Sequence, residues 1–220
     1  MSDATNTKDR LLDTAEQLFA QTGIEATSLR TITAEAGANL AAIHYHFGSK
    51  ETLIQEVFAR RVEPVNQERL RQLDELEATA YPNAPSLKKI IEAFIYPVLL
   101  MNKVSDGDCR PFMRLLGRVY SESENIQKLL FSQFKETATR FLAAIQKALP
   151  HLPKIEASWR FKFMVGAMAM TVVSHAGFEE QLGSENEMQD MEAIIEKLMA
   201  FLIGGMQAPL YQKSEGSTKL

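Results

Sequence analysis

The chain has little of the chemistry that secreted or membrane proteins need. Only one of its 220 residues is cysteine, Cys109, which rules out an internal disulfide and suits a reducing compartment. The N-terminus, MSDATNTKDR, is polar and has no apolar core of a signal peptide. The longest nearly apolar stretch, Val165 to Val173, is far shorter than the roughly 18 residues that span a bilayer. We therefore expect a cytoplasmic protein without membrane contact.

Sequence signatures of catalysis are missing as well. The chain has no spacing typical of a nucleophile with its base and acid, no glycine-rich phosphate loop and no Cys/His cluster. His151 and His175 are isolated, and His44 and His46, two residues apart, do not share a helix face. We predict that the protein is not an enzyme and uses neither a metal nor a cofactor.

What the chain does contain is helical periodicity from end to end, with no convincing pair of strands and no repeat. We predict an all-α fold of about nine helices. Residues 1–60 would form an N-terminal helix-turn-helix domain, residues 61–206 a C-terminal helical domain for ligand binding and dimerisation, and residues 207–220 a flexible tail.

The first 60 residues predict three helices and the start of a fourth. The apolar stripe of the first helix consists of Leu11, Leu12, Ala15, Leu18 and Phe19. The expected turn and capping residues are Gly23, Thr27 or Ser28, Gly37, Asn39 and Ser49. Two short helices around a glycine turn are typical of a helix-turn-helix that reads DNA.

The third helix of this segment has two distinct faces. On a helical wheel Ile43 and Phe47 point the same way, towards a core, whereas Ala41, Ala42 and Tyr45 occupy the opposite arc. Small alanine side chains let a helix enter the major groove, where their methyl groups can contact thymine methyls. We therefore expect this arc to face the bases.

Other polar side chains flank that face. His44 is placed to reach a base edge or a phosphate, while Tyr45 and Lys50 are placed for phosphate oxygens. The N-terminus of the helix capped by Ser49 would add backbone donors. Leu40 lies close to Phe47 on the wheel, so it is either a core residue or a DNA contact.

Charge argues mildly against DNA binding. Residues 1–64 contain six lysine and arginine residues and nine aspartate and glutamate residues, a net charge of −3, whereas nucleic-acid domains are usually basic on the working face. The acidic groups would have to point away from DNA, and dimerisation would double the phosphate contacts. A helical ligand-binding or scaffolding protein without DNA binding is the alternative.

Residues 8–58 resemble the DNA-binding domain of the TetR (tetracycline-repressor) family. The matching segments are LLDTAEQLFAQTG, TSLRTITAEAG and YHFGSKETL. The resemblance implies DNA contacts from Thr27, Leu40, Ala41, Ala42, His44, Tyr45 and Lys50. Many members have Gly and a hydroxyl residue at the Ala41 and Ala42 positions, and the usual Tyr is His44 here. The stretch NLAAIHYHFGSK is also similar to a subgroup that includes fatty-acid-responsive regulators.

The body is expected to be helical too. The helix that begins after Ser49 meets Pro64, which would kink or stop it. Further helices are expected from Ser86 and over 112–119, 126–145, 154–181 and 187–206.

A ligand cavity is expected among these body helices, since the resemblance implies a small-molecule sensor there. The candidate lining residues are Phe94, Met101, Phe112, Arg114, Arg118, Phe134, Trp159, Arg160 and Phe163. Large apolar groups suit an acyl or aromatic effector, and one arginine could neutralise an anionic end. Each aromatic could instead fill a core, and each arginine could be a surface or ion-paired residue.

The last two helices are expected to form a homodimer interface. The first carries the small residues Gly166, Ala167, Ala169, Ala176 and Gly177. The second carries an apolar stripe of Met188, Met191, Ile194, Ile195, Leu198, Met199 and Leu202. Two such pairs would close a four-helix bundle, as the resemblance also implies, and a purely internal hairpin is the alternative.

Together these features predict a ligand-responsive transcriptional regulator. Its homodimer would place two recognition helices in successive major grooves of a palindromic double-stranded DNA operator, about 34–36 Å apart. A largely apolar small-molecule effector would release this repressor by favouring a conformer in which the separation no longer fits.

Overall fold

A computed structural model of the chain describes residues 2–98, 110–175 and 191–211, and every regular element in these ranges is helical. The predictions for Met101, Cys109, Ala176, Gly177 and Met188 lie outside the described residues. The helices are α1 (Ser2–Thr22), α2 (Leu29–Glu35), α3 (Leu40–His46), α4 (Lys50–Ala80), α5 (Leu87–Ile95), α6 (Arg110–Arg118), α7 (Glu124–Phe131), α8 (Lys135–Ala148), α9 (Lys154–His175) and α10 (Met191–Gln207). The predicted all-α fold is confirmed.

Side-chain caps fix the starts of the helices around the turn. Ser28, Asn39 and Ser49 are the N-caps of α2, α3 and α4, and each side chain accepts a hydrogen bond from the backbone N–H three residues later. Of the two candidates for the α2 cap, Ser28 and not Thr27 has this role. Gly37 adopts a φ of 60° between α2 and α3, a conformation that L side chains rarely adopt.

The N-terminal helices share one apolar core. Its fully buried side chains come from all four of α1, α2, α3 and α4: Leu11, Phe19, Ile32, Ile43, Leu53 and Phe58. Because Ile43 is held in this core, the opposite face of α3 is fixed towards the outside.

Helix α4 links this domain to the body. It continues without a stop through Pro64, so the prediction of a stop is wrong. Val62 and Val65 on either side of Pro64 are buried, and their packing keeps the helix in place although the proline ring lacks an N–H. The expected domain boundary at 60/61 falls inside α4, which therefore belongs to both domains.

The single helix expected over 126–145 is in fact two helices. A 3₁₀ turn, Ser132–Phe134, separates α7 from α8. The Gln133 carbonyl accepts a hydrogen bond from Asn66 Nδ2 at 3.1 Å, and Gln133 Nε2 donates to the Gln55 carbonyl at 3.1 Å. The break is therefore tied to α4 by tertiary contacts that periodicity along one segment does not reveal.

The body core lies among α5, α8, α9 and α10. Phe94 of α5 contacts Phe141 of α8 and Phe161 of α9 edge-to-face, with ring centroids 5.0 and 5.4 Å apart. Part of the stripe expected to form the dimer interface is buried within this single chain: Ile195, Leu198, Met199 and Leu202. That face of α10 packs internally, so the prediction that it meets a partner is wrong for these residues. Within the described ranges no helix has an apolar stretch long enough to cross a membrane.

Candidate functional site

The outer face of α3 is an exposed surface held in a defined orientation. Ile43 is fully buried and Phe47 nearly so, whereas Tyr45 is 81% exposed and Ala41 is exposed beside it. Ala42 is half-buried. The two-faced helix that the sequence predicted is confirmed, and it presents small apolar groups and one tyrosine to the outside.

Leu40 and His44 lie at the edges of this face. Leu40 is 37% exposed, so it is not a core residue and its methyl groups are available at the start of α3. His44 is exposed, and its Nδ1 lies 3.2 Å from the Gly48 carbonyl. In the tautomer whose Nδ1–H donates to this carbonyl, Nε2 is an acceptor directed away from that bond. The amine of a DNA base could donate a hydrogen bond to this Nε2.

Thr27 and Lys50 both donate hydrogen bonds to backbone carbonyls of the segment between α1 and α2. The Thr27 hydroxyl is buried and donates to the Gly23 carbonyl at 2.7 Å, so a side-chain contact between Thr27 and DNA does not fit this geometry. Lys50 Nζ donates to the Glu25 carbonyl at 3.3 Å, which holds the ammonium group beside the segment that precedes α2. An ammonium has three donors, so two remain for phosphate oxygens.

Ion pairs hold three acidic side chains of residues 1–64 where α1 meets α4. Asp13 and Glu16 of α1 pair with Arg60 and Arg61 of α4 at 2.6–3.0 Å, and Glu16 is buried between them. Lys8 pairs with Glu56 at 2.6 Å. These pairs use three bases and three acids, so the net charge of residues 1–64 stays at −3, and Arg10, Arg30 and Lys50 are the bases that lie outside them.

Arg10 belongs to the candidate site although the sequence did not single it out. It lines a shallow surface groove with Thr7 of α1, the 37–39 turn and Ala42 of α3. Arg10 is exposed and has no acidic partner within the described part of the chain. Its position between two helices could not be found from the pattern of a single helix, and Asp13, three residues later, pairs with Arg60 instead.

The predicted pocket residues that the structure describes lie in different parts of the body. Phe94 and Phe112 are buried, and Phe112 packs edge-to-face on Phe58 with centroids 5.4 Å apart. Phe134 is half-buried against the core, in the 3₁₀ turn before α8. Arg114 is exposed on α6. Only Phe94 of these residues lies in the aromatic cluster of the body core.

Arg118 faces the N-terminal domain. Its Nη1 donates to the carbonyls of Ala20 and Gln21 at 3.1 and 2.8 Å, in the last turn of α1. Four residues on, a Glu122 carboxylate oxygen accepts the Ile24 N–H at 2.9 Å. Arg118 thus caps the C-terminus of α1 and Glu122 holds the segment between α1 and α2, so a pocket-lining role for Arg118 does not fit this geometry.

Arg160 caps the other end of the body. It is buried, its Nε donates to Glu156 at 2.9 Å, and its Nη1 donates to the carbonyls of Met206 and Ala208 at 2.9 and 2.6 Å. These carbonyls lie at the C-terminal end of α10, where helix carbonyls lack partners of their own. Its donors already have partners at this helix end, so a role as the anion-binding arginine does not fit.

Trp159 and Phe163 lie on the outside of α9. Phe163 is 66% exposed, and its ring stacks on Trp159 with centroids 6.0 Å apart. They belong to an exposed stripe of α9, beside exposed positions of α10, that we call the outer face: Ile155, Trp159, Phe163, Gly166 and Met170, with Phe201, Gly204 and Gly205. Side chains with this exposure do not line a cavity inside one chain.

The body core contains one charged residue that the sequence did not reveal. Arg69 of α4 is only 2% exposed and occupies a position in the buried stripe of Val62, Val65 and Leu73. In the sequence, Arg69 stands at a core position of an apolar stripe, which indicates a buried arginine. This pattern can be recognised only when α4 is known to continue beyond Pro64.

Comparisons with known proteins agree with this architecture. Residues 11–57 match the family model for bacterial regulatory proteins of the tetR family, and residues 92–205, just over half of the chain, match the tetracyclin repressor-like C-terminal domain. The HTH-type transcriptional regulator SrpR of Pseudomonas putida is 25% identical over 150 residues, which are 68% of this chain and 62% of that protein. The dual regulator CecR of Shigella flexneri is 29% identical over 163 residues, covering 69% and 64%.

The chain therefore spans less than two thirds of the length of these curated relatives. Among solved structures, a putative TetR-family regulator from Syntrophomonas wolfei superposes with a TM-score of 0.64 at 14% identity, covering 94% of this chain and 97% of that one. At this identity the likeness concerns the fold alone.

Proposed function

Because this chain belongs to the TetR family of bacterial regulators, we propose that it is a cytoplasmic, DNA-binding transcriptional repressor that a small, largely apolar effector releases from a palindromic operator. The observation that carries the proposal is the geometry of α3. Its inner face is buried through Ile43 and its start is capped by Asn39, so the outer face is presented as a rigid unit.

In the proposed complex α3 lies in the major groove. Ala41 and Ala42 allow close approach and contact thymine methyls, while His44 Nε2 accepts from an exposed base amine. Tyr45, Lys50 and Arg10 contact phosphates on the two sides of the groove, and these contacts set the position of the helix rather than its sequence preference. Readout by two alanines and one histidine relies on apolar contacts and one hydrogen bond per half-site.

A palindromic operator requires two copies of the chain, and we propose that the outer face pairs them. It offers stacked aromatic rings and the glycines that permit close helix approach, all on α9 and α10. Added Cβ atoms at Gly166, Gly204 and Gly205 would meet nothing within 4 Å in one chain, so these positions are open for a partner helix. Two copies would bring four helices together in a bundle.

We propose that α6 carries the effector signal to the DNA-binding domain together with α4. Gly117 of α6 packs so closely on Val173 of α9 that an added Cβ would lie 2.9 Å from its side chain. One residue later Arg118 holds the end of α1, and Glu122 holds the segment that leads into α2. A shift of α6 relative to α9 would therefore move α1 and α2 and change the separation of the two α3 helices.

The test is selection of bound sequences from a random duplex DNA library by the purified full chain, followed by fluorescence anisotropy over a salt series. We expect a palindromic site bound by two chains, with affinity that falls as salt rises. Failure to enrich any sequence, with the protein folded and dimeric, would contradict the proposal and favour a ligand-binding protein without DNA binding.

A further inference from the structure

Arg69 is a buried cation with no acidic partner among the residues that the structure describes. Its Nε donates to the Phe94 carbonyl at 2.7 Å, its Nη1 to Asn66 Oδ1 at 3.3 Å and its Nη2 to Met168 Sδ at 3.3 Å. All three acceptors are neutral, and throughout the described ranges no carboxylate pairs with Arg69. The other strongly buried ionic groups, Glu16 and Arg160, each have an oppositely charged partner.

An uncompensated charge in a protein interior is costly. Taking an ion out of water costs several kcal/mol after relaxation, which ordinarily requires a paired counter-charge. Burial lowers the pKa of Arg69 to about 9, so the guanidinium remains charged at neutral pH. The chain therefore keeps a positive charge in its core at a cost that the described contacts with neutral acceptors offset only in part.

The contacts of Arg69 leave donors for a further acceptor. A guanidinium has five N–H groups in a planar fork, and a carboxylate accepts two of them side by side. The Nη2 contact goes to a thioether, which is a weak acceptor on a flexible side chain. A carboxylate oxygen would replace Met168 Sδ with a gain in hydrogen-bond strength.

The side chains that surround the Arg69 guanidinium include aromatic rings. The Arg69 guanidinium carbon lies 4.2 Å from the centroid of the Phe94 ring, which itself packs against Phe141 and Phe161. We propose that Arg69 binds the carboxylate of an effector whose apolar part packs against Phe94, Phe141 and Phe161. This inference rests on the proposed function and names the chemical class of its effector, a monocarboxylate with an aliphatic or aromatic body.

The position of Arg69 also connects a bound carboxylate to the contact between α4 and the turn before α8. Arg69 and Asn66 share a hydrogen bond, and Asn66 in turn holds the Gln133 carbonyl in the turn before α8. Drawing the guanidinium towards a ligand weakens the 3.3 Å bond to Asn66 and loosens the docking of that turn on α4. Occupancy of Arg69 is thereby coupled to the helix that both domains share.

The test uses decanoate and 4-phenylbutanoate as probes, with the corresponding amides as uncharged matches, in titration calorimetry with the full chain. Arg69→Met removes the charge at similar length, and Arg69→Lys keeps the charge without the fork. Arg71→Met is the control, since Arg71 is an exposed arginine two residues along the same helix. We expect at least one carboxylate to bind the unaltered chain about tenfold more tightly than its amide, consistent with a charge-assisted bidentate bond.

That preference should disappear in Arg69→Met, fall in Arg69→Lys and persist in Arg71→Met. Equal binding of carboxylate and amide by the unaltered chain, no binding of either, or a preference that survives Arg69→Met would each overturn the inference. If Arg69→Met does not fold, the carboxylate–amide comparison and Arg69→Lys decide. Operator binding measured on the same samples separates the two proposals: intact DNA binding without carboxylate preference refutes only this one, and the reverse refutes only the repressor.

Discussion

Arg118 Nη1 lies 2.8 Å from the Gln21 carbonyl, so a side chain of the body caps the last turn of a helix in the N-terminal domain. Glu122 adds a second bond in the opposite sense, because its carboxylate accepts from the Ile24 backbone N–H. One positive and one negative side chain, four residues apart, thus hold the C-terminus of α1 and the segment after it. The N-terminal domain is therefore held by contacts at and just after α6 and not only through α4.

The Glu122 contact can be tested by Glu122→Ala. Loss of the acceptor leaves the Ile24 N–H without its partner, which costs about 1–3 kcal/mol where the group stays shielded from water. We expect a lower unfolding free energy and faster amide hydrogen exchange over 23–28, measured by mass spectrometry. Glu124→Ala is the control, since Glu124 is an exposed residue of the same region paired only with Lys128. Unchanged exchange in Glu122→Ala would show that Glu122 does not hold this segment.

The orientation of α3 was readable from sequence because it depends on local rules. Caps at Ser28, Asn39 and Ser49 and the apolar side of α3 follow from residue type and spacing within about ten positions. The roles of Arg118 and Arg160 were not readable, because their acceptors are backbone carbonyls nearly 100 and nearly 50 residues away. The residue type alone does not indicate that an arginine will pair with a distant backbone carbonyl.

The residues of α10 that were predicted to meet a partner are buried in the chain, and the sequence could not show this for a different reason. Both sides of α9 and α10 are rich in apolar residues, so periodicity could not tell the side that packs inside one chain from the side left open. The structure buries Leu198 and Leu202 and exposes Phe163 and Phe201. The same reason applies to the predicted pocket residues. Their size and charge can be read from the sequence, but the sequence does not show which helix faces meet.

Tyr45 provides a test of the α3 surface. Its side chain makes no contribution to the core, so Tyr45→Ala should leave the melting temperature nearly unchanged and weaken operator binding by roughly 1–2 kcal/mol, or about five- to thirtyfold. Fluorescence anisotropy measures the affinity and calorimetry the stability. Tyr211→Ala, at an equally exposed tyrosine near the C-terminus, should bind like the unaltered chain. Full affinity in Tyr45→Ala would rule out the proposed docking.

Glu16 tests the ion-pair cluster between α1 and α4. Glu16 is buried and accepts from both Arg60 and Arg61 at 2.9–3.0 Å. Glu16→Gln removes the charge but keeps the shape, so both arginines lose a buried ionic partner, although Arg60 keeps Asp13. We expect a loss of about 3 kcal/mol of unfolding free energy in urea. Asp13→Asn, at an exposed member of the same cluster, should cost less than about 1 kcal/mol. Similar losses in both variants would show that burial does not set the strength of this cluster.

The outer face tests the proposed dimer. Phe163 stacks on Trp159 at the centre of the exposed stripe of α9, so Phe163→Glu would place a charge in the middle of a helix–helix contact. We expect sedimentation velocity to give a dimer for the unaltered chain and a monomer for Phe163→Glu at micromolar concentration, with the helical circular dichroism unchanged. Operator affinity should fall sharply too, because one chain reaches only one half-site. Tyr120→Glu introduces the same charge at an exposed aromatic outside the stripe and should remain dimeric. A dimeric Phe163→Glu would move the interface elsewhere on the chain, and the exposed aromatic stripe would need another partner.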